Sequence, residues 1–485
     1  MSRKTCSRRD FMKQLGLGAA GLTAAGAGFA PGAVAEKKSG PPNILFILSD
    51  EQRWDTLGCY GENMGRALGM TPYLDAMAGE GVRFSRAFTA QPVCGPARAC
   101  LQTGLYATQT SCWRNGIPLP PDAVTLPRLL KPAGYEVGYI GKWHLAPDEA
   151  GNRDYGDPPV PPEGRGGYDD FWLASNILEF TSHGYDGHMF GKDMKPVPFP
   201  KDRYRVDALT DFAVDYLRRR DGKRPFFLFL SYVEPHHQND HGDHFEGPRG
   251  SKEKYKNYPV PGDLEGAKGN WPAEMPDYLG CCASLDSAVG RLRAELKRLR
   301  RDDDTLVIYT SDHACHFRTR NGEYKRSCHD NSIRVPLVAA GPGFRGGKVA
   351  DDLVSLIDLP PTIVSAGRVK PPEAMRGRAL QGLLDGSAKD WQDDVFVQIS
   401  ESQTGRAVRT SRWKYSVRAP GPSAASADSY NEDLLYDLEK DPHERNNLVR
   451  DPGLADVRAE FRERLIRRMR HAGESEPAIL PARDA

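Results

Sequence analysis

Four short apolar runs in this chain are each followed directly by side chains that bind metal ions, bind anions or transfer protons. The side chains that follow them belong to Asp50 and Glu51, Lys142 and His144, His236 and His237, and Asp312 and His313. Continuous apolar runs of this length are typical of parallel strands buried on both faces. Because ligands bind at the carboxyl ends of strands in open α/β sheets, the pattern predicts one shared site at a sheet edge.

The acidic members of this set are suited to a divalent cation. Asp50 and Glu51 follow one run, and Asp312 follows another with His313 beside it. Carboxylate oxygens favour hard cations such as Ca²⁺ or Mg²⁺. The imidazole of His313 is a nitrogen ligand, so a softer metal stays open as an alternative. The histidines titrate near neutral pH, as general acids and bases must.

The elements that carry these side chains can be read from the apolar patterns. The four runs predict buried strands at residues 44–48, 137–140, 226–233 and 306–309. Apolar residues at helical spacing predict helices over residues 204–219 and 277–300, each just before one of those strands. Cys282 falls on the apolar stripe of the second helix, which predicts a place in the core. This alternation predicts an α/β fold with a large, mostly parallel sheet flanked by helices.

Two long segments, residues 147–200 and 234–276, interrupt the alternation and are rich in Pro, Gly, His and aromatic residues. They predict loops above the strand ends, where substrate specificity usually resides. Beyond residue 369 the pattern predicts a strand at 409–417 and a charged helix at 454–471. We therefore predict a large α/β domain over residues 41–368, which would carry the site, and a smaller C-terminal α+β domain over residues 369–485.

The first 35 residues have the features of an export signal. Arg8 and Arg9 precede an apolar stretch at residues 15–30, and Ala33-Val34-Ala35 fits a cleavage site. Together they predict a bacterial twin-arginine signal peptide. A membrane anchor is the alternative, but the stretch is short and rich in small residues. Export through the twin-arginine machinery predicts a periplasmic or extracellular protein with no stable membrane span after processing.

The composition bears on partners. The 66 basic and 65 acidic residues give a formal net charge of +1, so the chain has no overall field of the kind that marks nucleic-acid binding. The chain has nine cysteines, one of them in the predicted signal peptide. The spacing of the remaining cysteines does not reveal a disulfide pairing.

The most specific local pattern is Cys94-Gly95-Pro96-Ala97-Arg98. It matches the C-x-P-x-R signature in which cysteine is oxidised to formylglycine. The chain resembles the formylglycine-dependent sulfatases of the alkaline-phosphatase-like superfamily from residue 43 to about residue 448. Further segments that resemble the family are Leu101 with Thr103-Gly104, and residues 71–75, 81–84, 333–336, 435–438, 441–442 and 447–448.

The resemblance implies a sulfuric ester hydrolase that carries a formylglycine derived from Cys94 by a formylglycine-generating maturase. The hydrated aldehyde offers two hydroxyl groups: one attacks sulfur, and the other, once deprotonated, expels sulfate. An unmodified thiol would lack this internal release step.

The resemblance also implies one bound divalent metal, Ca²⁺ or alternatively Mg²⁺. The ion would acidify the diol and neutralise charge on the sulfate. Sulfatases more often have a second aspartate where this chain has Glu51. The implied ligands are Asp50, Glu51, Cys94, Asp312 and His313.

Three cations are implied in sulfate and diol binding. By position, Arg98 would hold the diol oxygen, while Lys142 and Lys325 would contact the sulfate. Arg326 stands beside Lys325 as a competing choice. Preorganised cations at developing negative charge usually supply the largest electrostatic contribution to catalysis.

Two histidines are implied in proton transfer. His144 would deprotonate the diol to release sulfate, and His236 would protonate the leaving alcohol. His237 is the alternative acid.

Two other functions stay open. A formylglycine-dependent phosphonate or phosphate ester hydrolase would share the fold and the nucleophile. A non-catalytic secreted binding protein would use Cys315-His316 and Cys328-His329 as a metal module, although their spacing fits no standard zinc pattern. A disulfide between Cys315 and Cys328 is another use of these thiols.

Export and the long loops indicate an extracytoplasmic substrate. Sulfated carbohydrate is the first prediction, and small aryl or alkyl sulfates are the second. Residues predicted to line the pocket are Trp172, Asn176, His183, His188 and Arg320.

Overall fold

The strand ends that carry the predicted site belong to one large sheet. The structure is a computed structural model that describes residues 40–148 and 156–482; the predicted signal peptide lies outside these ranges. The strands of this sheet are β1 (Asn43–Ser49), β2 (Val82–Phe88), β3 (Glu136–Lys142), β4 (Phe171–Ser175), β5 (Ser182–His183), β6 (Asp186–Gly191), β7 (Pro196–Pro198), β8 (Phe226–Ser231), β9 (Thr305–Ser311), β10 (Arg334–Val335), β11 (Leu337–Ala340) and β12 (Lys348–Ser355).

The middle of this sheet is parallel. The strand order is β10-β2-β11-β9-β1-β8-β3-β4-β6-β5, with β12 paired to β2 and β7 paired to β6. Neighbours from β9 through β1, β8 and β3 to β4 run parallel. Antiparallel pairs flank this block, where β11 pairs with β9 and β6 pairs with β4. The four predicted strands are therefore adjacent and their carboxyl ends lie at one edge.

Helices cover both faces of the sheet, which confirms the predicted α/β fold. The helices are α1 (Met64–Leu68), α2 (Pro72–Glu80), α3 (Cys94–Thr103), α4 (Ala107–Thr110), α5 (Leu126–Leu130), α6 (Arg205–Arg219), α7 (Ser251–Lys254), α8 (Trp271–Arg298), α9 (Asp330–Ile333), α10 (Leu359–Ala366), α11 (Leu380–Leu384) and α12 (Ala455–His471). No helix in the described ranges is both long and apolar enough to cross a membrane.

Strand β1 shows why its apolar run is continuous. Phe46 belongs to a core cluster that includes Leu101 of α3, whereas Leu45 belongs to the opposite cluster with Leu209 of α6 and Leu285 of α8. Successive side chains of a strand point to opposite faces, so a strand covered on both sides must be apolar at every position.

A second, smaller sheet lies in the C-terminal part of the chain. Its strands are β13 (Asp394–Ile399), β14 (Gly405–Thr410), β15 (Trp413–Arg418), β16 (Ser429–Asp437) and β17 (Ala478–Leu480). Helix α12 buries Phe461, Leu465 and Met469 in the same core cluster as Tyr415 of β15. This arrangement gives the predicted α+β part, and α12 agrees with the predicted helix at 454–471.

Three local predictions were wrong. The predicted single strand at 409–417 is a hairpin of β14 and β15, whose two-residue turn at 411–412 lacks the glycine that usually marks such turns. The predicted loop 147–200 contains β4, a parallel strand of the large sheet. Helix α8 begins at Trp271, six residues before the predicted start, because its buried face outweighs the backbone hydrogen bond that Pro276 cannot make.

Candidate active site

The carboxyl ends of β1, β8, β9 and β3 bring the predicted polar residues together. The backbone N–H of Asp312 donates to the carbonyl of Ser49 at 3.1 Å, and the N–H of Asp50 donates to the carbonyl of Glu234, also at 3.1 Å. Ladder-like contacts thus continue past the strand ends and fix Asp50 and Asp312 side by side. Both carboxylates are fully buried.

Cys94 is the first residue of α3, and its side chain is 1% exposed. Gly95 lets the helix start approach a neighbouring loop: a Cβ there would lie 2.9 Å from Oδ1 of Asn115 and 3.2 Å from the carbonyl of His144. The Gly95 N–H donates to that Asn115 oxygen at 2.9 Å. Pro96 falls in the first turn, where its missing N–H costs no helical hydrogen bond. The glycine and proline of the motif therefore also suit the close packing at the start of α3.

Cations surround the side chain of residue 94. The Nζ of Lys325 lies 3.0 Å from the Cys94 Sγ, and the Nε2 of His313 lies 3.3 Å from it. Burial alone would raise the pKa of the thiol, but Lys325, Lys142 and His313 hold it well below its usual value. The site therefore favours negative charge at this position.

Asp50 connects the remaining cations. Its Oδ2 lies 3.0 Å from Nη2 of Arg98 and 2.9 Å from Nζ of Lys142, while its Oδ1 lies 3.4 Å from the Cys94 Sγ. Arg98 also approaches Oδ2 of Asp312 at 3.3 Å. Burial raises the pKa of Asp50, but these positive neighbours outweigh it and leave the pKa below its usual value. The Asp50 carboxylate thus fixes the positions of the Arg98 and Lys142 side chains.

Four of the five predicted metal ligands form one group. Ligand atoms of Asp50, Cys94, Asp312 and His313 all lie within 4.8 Å of one another. Oδ2 of Asp312 is buried and, although the guanidinium of Arg98 lies 3.3 Å away, it accepts no hydrogen bond from the described residues. Burial and the charge of Asp50 raise the pKa of Asp312 to about 7. Two crowded carboxylates with an unsatisfied oxygen fit a hard divalent cation.

Glu51, the fifth predicted ligand, is not part of this group and forms a second candidate group with His236 and His237. Its carboxylate lies 3.2 Å from Nζ of Lys325 and 3.0 Å from Nδ1 of His237. Its backbone has φ 72°, a left-handed conformation that is uncommon for a residue with a side chain. Glu51 thus positions the lysine that reaches Cys94.

The two neighbouring histidines differ in their surroundings. Nε2 of His236 lies 2.8 Å from Nζ of Lys325. Burial lowers the pKa of His236, but Glu51 and Asp50 raise it above its usual value overall. Burial and the charge of His236 lower the pKa of His237 to about 4. His236 therefore holds a proton more readily than His237, and it lies closer to the lysine that contacts residue 94.

His144 forms a side-chain hydrogen bond with Cys94 and lines the same cavity as Lys325 and His236. Its backbone has φ 56°, and its N–H donates to the carbonyl of Asn176 at 2.7 Å. Its Nδ1 is buried and has no partner among the described residues. A strained backbone and an unsatisfied ring nitrogen next to the nucleophile are typical of a functional residue.

Glu179 is a site residue that sequence reasoning missed. Its Oε1 lies 2.8 Å from Nζ of Lys142, and both side chains are buried. The charge of Lys142 overcomes the effect of burial and lowers the pKa of Glu179 to about 2. Glu179 lies within the segment that was read as a loop, and no local motif marks it. Its position after β4 would have been informative had that strand been recognised.

Glu179→Gln is expected to lower kcat/KM and to reduce the unfolding free energy by about 2 kcal/mol, because the buried ammonium loses a charged partner. Thermal unfolding and steady-state kinetics measure both effects. Glu136→Gln, which weakens a pair with Arg220 at the opposite end of β3, is the matched control. An unchanged kcat/KM in Glu179→Gln would contradict a role in positioning Lys142.

The residues that were predicted to line the pocket lie elsewhere. Trp172 packs in an aromatic cluster with Tyr139 and Trp143. Asn176 supports the backbone of residues 146–147, and Arg320 donates to the carbonyls of residues 443 and 444. His183 and His188 are also absent from the described lining of the cavity above Cys94. Side-chain direction, which the sequence did not reveal, decided these cases.

The proposed Cys/His module does not form among the described residues. Cys315 and Cys328 are both free thiols, so the alternative disulfide is absent. Nε2 of His316 contacts the carbonyl of Lys325, and His329 contacts Tyr436. These side chains support the loop that carries Lys325 and the contact with the second sheet.

Comparison with known proteins decides the family. A family model described as Sulfatase matches residues 42–369. The chain belongs to the sulfatase family. A second model, described as N-sulphoglucosamine sulphohydrolase, C-terminal, matches residues 322–471 of this sulfatase. The protein is therefore a sulfuric ester hydrolase, and sulfatases in general use a formylglycine and a divalent metal.

Relatives of this sulfatase cover most of its length. It is 30% identical over 457 residues to the uncharacterized sulfatase YidJ of Escherichia coli K12, covering 88% of this chain and 86% of the relative. It is 24% identical over 486 residues to the N-acetylglucosamine-6-O-sulfatase of Bacteroides thetaiotaomicron, covering 84% and 82%.

Solved structures agree with the fold of the sulfatase. A sulfatase yidJ from Bacteroides fragilis superposes with a TM-score of 0.76 at 25% identity, covering 91% of this chain and 98% of that one. A phosphonate monoester hydrolase of Agrobacterium radiobacter gives 0.67 at 25% identity, covering 89% and 96%.

Proposed function

We propose that this sulfatase hydrolyses sulfate esters of carbohydrates with residue 94 as the nucleophile. One observation carries the proposal: the Cys94 Sγ lies within 3.4 Å of Oδ1 of Asp50, Nε2 of His313 and Nζ of Lys325. The names of relatives support carbohydrate as the substrate class, since they include an N-acetylglucosamine-6-O-sulfatase and an ulvan-active sulfatase.

Formylglycine at position 94 would supply a hydrated aldehyde, whose hydroxyl attacks sulfur and whose regenerated carbonyl releases sulfate. Arg98 would orient that hydroxyl group, and its guanidinium is held by Asp50 at 3.0 Å and by the Ser231 hydroxyl at 2.6 Å. Lys142 and Lys325 would bind the sulfate oxygens. Removing one such preorganised donor typically costs about 3–4 kcal/mol of barrier.

The group formed by Asp50, Asp312, His313 and residue 94 would hold the divalent cation, for which we propose Ca²⁺, with Mg²⁺ as the alternative. The cation would supply acidification of the nucleophile and neutralisation of sulfate charge. Glu51 would act through Lys325 and His237 in place of direct ligation.

His144 would take the proton whose loss regenerates the aldehyde. His236 would give a proton to the leaving alcohol, because its pKa is raised and its Nε2 lies 2.8 Å from Nζ of Lys325, the lysine that contacts residue 94. His237 is hydrogen-bonded to Glu51 and would hold that carboxylate in place.

The acid assignment predicts an alkaline limb in the pH profile. A general acid must be protonated, so activity on alkyl or sugar sulfates is expected to fall as pH rises through the raised pKa of His236. His236→Gln is expected to lower kcat by about 10²–10⁴-fold and to remove this limb. His237→Gln is the control and should retain it. Loss of the limb only in His237→Gln would assign the acid to His237.

The N-terminal sequence supports proposals about processing. Residues 1–35 would direct export through the twin-arginine machinery to the periplasm or beyond, and a maturase would convert Cys94. The division into domains at residues 368 and 369 also stays a proposal. Sequencing the N-terminus of the exported protein would test cleavage after Ala35.

A phosphonate ester hydrolase is the second candidate, because the Agrobacterium radiobacter enzyme shares the fold. Parallel assays of 4-nitrophenyl sulfate, a phenylphosphonate monoester and sulfated monosaccharides test both functions. The proposal expects sulfate release from saccharides with the highest kcat/KM. A higher kcat/KM on the phosphonate would overturn it.

A further inference from the structure

The cavity above Cys94 has charged side chains at its mouth. Its volume is about 420 Å³. We call the following described residues the charged rim: Asp148, Asp243, Arg318, Glu323, Arg326 and Glu401. The rim contains four carboxylates and two guanidinium groups, and it lies outside the residues proposed to bind sulfate.

The first arginine of the charged rim is already paired. Nη2 of Arg318 lies 3.2 Å from Oδ2 of Asp243, and its guanidinium lies 4.7 Å from the centre of the Tyr324 ring. The carbonyl of Asp243 accepts a hydrogen bond from the Tyr324 hydroxyl at 2.8 Å. These contacts hold Arg318 against protein partners at the cavity mouth.

The second arginine is paired as well. Nη2 of Arg326 lies 2.6 Å from Oε1 of Glu401, and Arg326 also forms an ion pair with Glu323. The other oxygen of Glu401 accepts the backbone N–H of Asn115 at 3.0 Å. Glu401 comes from the second sheet, between β13 and β14, so that sheet contributes directly to the rim.

The described rim therefore presents an excess of negative charge, and its cations are occupied. A second sulfate or a carboxylate on the substrate would have to displace an internal ion pair or approach a rim whose four carboxylates outnumber its two guanidinium groups. Like charges brought together in this way are unfavourable and serve to reject partners. Neutral features of the same cavity, the Asn115 and Asn239 amides and the Phe180 and Tyr324 rings, suit the hydroxyl groups and apolar face of a sugar.

We propose that the substrate is a saccharide with one sulfate that is otherwise neutral or carries an amine, and that Asp243 and Glu401 determine this specificity. The inference rests on the proposed sulfatase reaction at residue 94. It adds the rule, called the charge rule below, that the part of the substrate other than the reacting sulfate carries no negative charge.

Matched substrate pairs test the rule. Each neutral monosulfated monosaccharide is compared with its disulfated form and with the corresponding sulfated uronic acid, and sulfate release is measured by ion chromatography. The expected kcat/KM is about tenfold or more lower for the anionic member of each pair. Asp243→Asn removes the carboxylate that is paired with Arg318. This variant is expected to reduce the ratio of kcat/KM between the neutral and the anionic substrate about fivefold.

Controls separate the outcomes. Asp303→Asn removes the acid from a comparable exposed pair with Arg345 outside the described cavity lining, and it should leave the ratio unchanged. Glu401→Gln should narrow this ratio as Asp243→Asn does, because it removes one negative charge from the charged rim and leaves Arg326 paired with Glu323 alone. Equal or faster turnover of the anionic members by the unmodified enzyme, or an unchanged ratio in both rim variants, would overturn the rule. Turnover of no sulfate ester would overturn the proposed function and this inference with it.

Discussion

Cys94→Ala is expected to abolish sulfate ester hydrolysis, lowering kcat by on the order of 10⁴-fold or more. Alanine cannot be converted to formylglycine, so neither the attacking hydroxyl group nor the internal release of sulfate would be available. The fold should persist, because the remaining nine residues of α3 are also buried and hold the helix in place. Sulfate release and thermal unfolding together measure the result.

Cys100→Ala is the matched control for this variant. Cys100 lies in the same helix and is also buried, but it belongs to the C-terminal core cluster, and burial raises the pKa of its thiol well above the usual value. The activity of Cys100→Ala should stay close to that of the unmodified enzyme.

Mass spectrometry of the peptide carrying residue 94 should show the loss of about 18 Da that accompanies conversion of thiol to aldehyde. Full turnover by Cys94→Ala would refute the nucleophile assignment.

Removing the divalent cation with a chelator is expected to lower kcat/KM by about 100-fold or more, since the ion would supply several kcal/mol of charge stabilisation. Re-addition of Ca²⁺ should restore activity, and elemental analysis of the purified protein identifies the ion. Recovery with Mg²⁺ alone would assign the alternative metal. Full activity after complete removal of metal would contradict the assigned site.

The same experiment predicts a pH-dependent difference in melting temperature. Without the cation, the pKa of Asp312 is raised from 3.8 to about 7 and that of His313 from 6.5 to about 9. A raised folded-state pKa gives stability at low pH that is lost as pH rises, here from about pH 4 to 9. A bound cation would favour the deprotonated form of both groups and so lower both pKa values. The gap between metal-bound and metal-free melting temperatures should therefore widen from pH 5 to pH 8.

Features that depend on local pattern were predictable from sequence. Strand β1 is apolar at every position because both its faces are buried, and parallel topology then places Asp50 beside Asp312. The Cys94 motif could be recognised because it combines a reactive residue with the glycine and proline that its helix start requires. Convergence of Lys142 and Lys325 on residue 94 followed from the family resemblance.

Features that depend on side-chain direction were not predictable. Glu51 follows Asp50 directly, and the sequence does not reveal that its backbone has a positive φ or that its carboxylate contacts Lys325. Glu179 lies in the segment 147–200, which was predicted to be a loop, and Glu401 lies between β13 and β14 of the second sheet. Both are too far along the chain from Cys94 to belong to a local motif with it. Trp172 is predicted to line the pocket, whereas its packing against Tyr139 and Trp143 places it in the hydrophobic core.

The burial of Cys94 has a consequence for the proposed formylglycine. A side chain that is 1% exposed is out of reach of the active site of another protein. Conversion by the proposed maturase would therefore have to take place while the segment from 92 to 104 is still extended, before α3 packs against β1. Cells that synthesise the chain faster than they modify it would then accumulate a folded product with a thiol at position 94, which later exposure to the maturase would not convert.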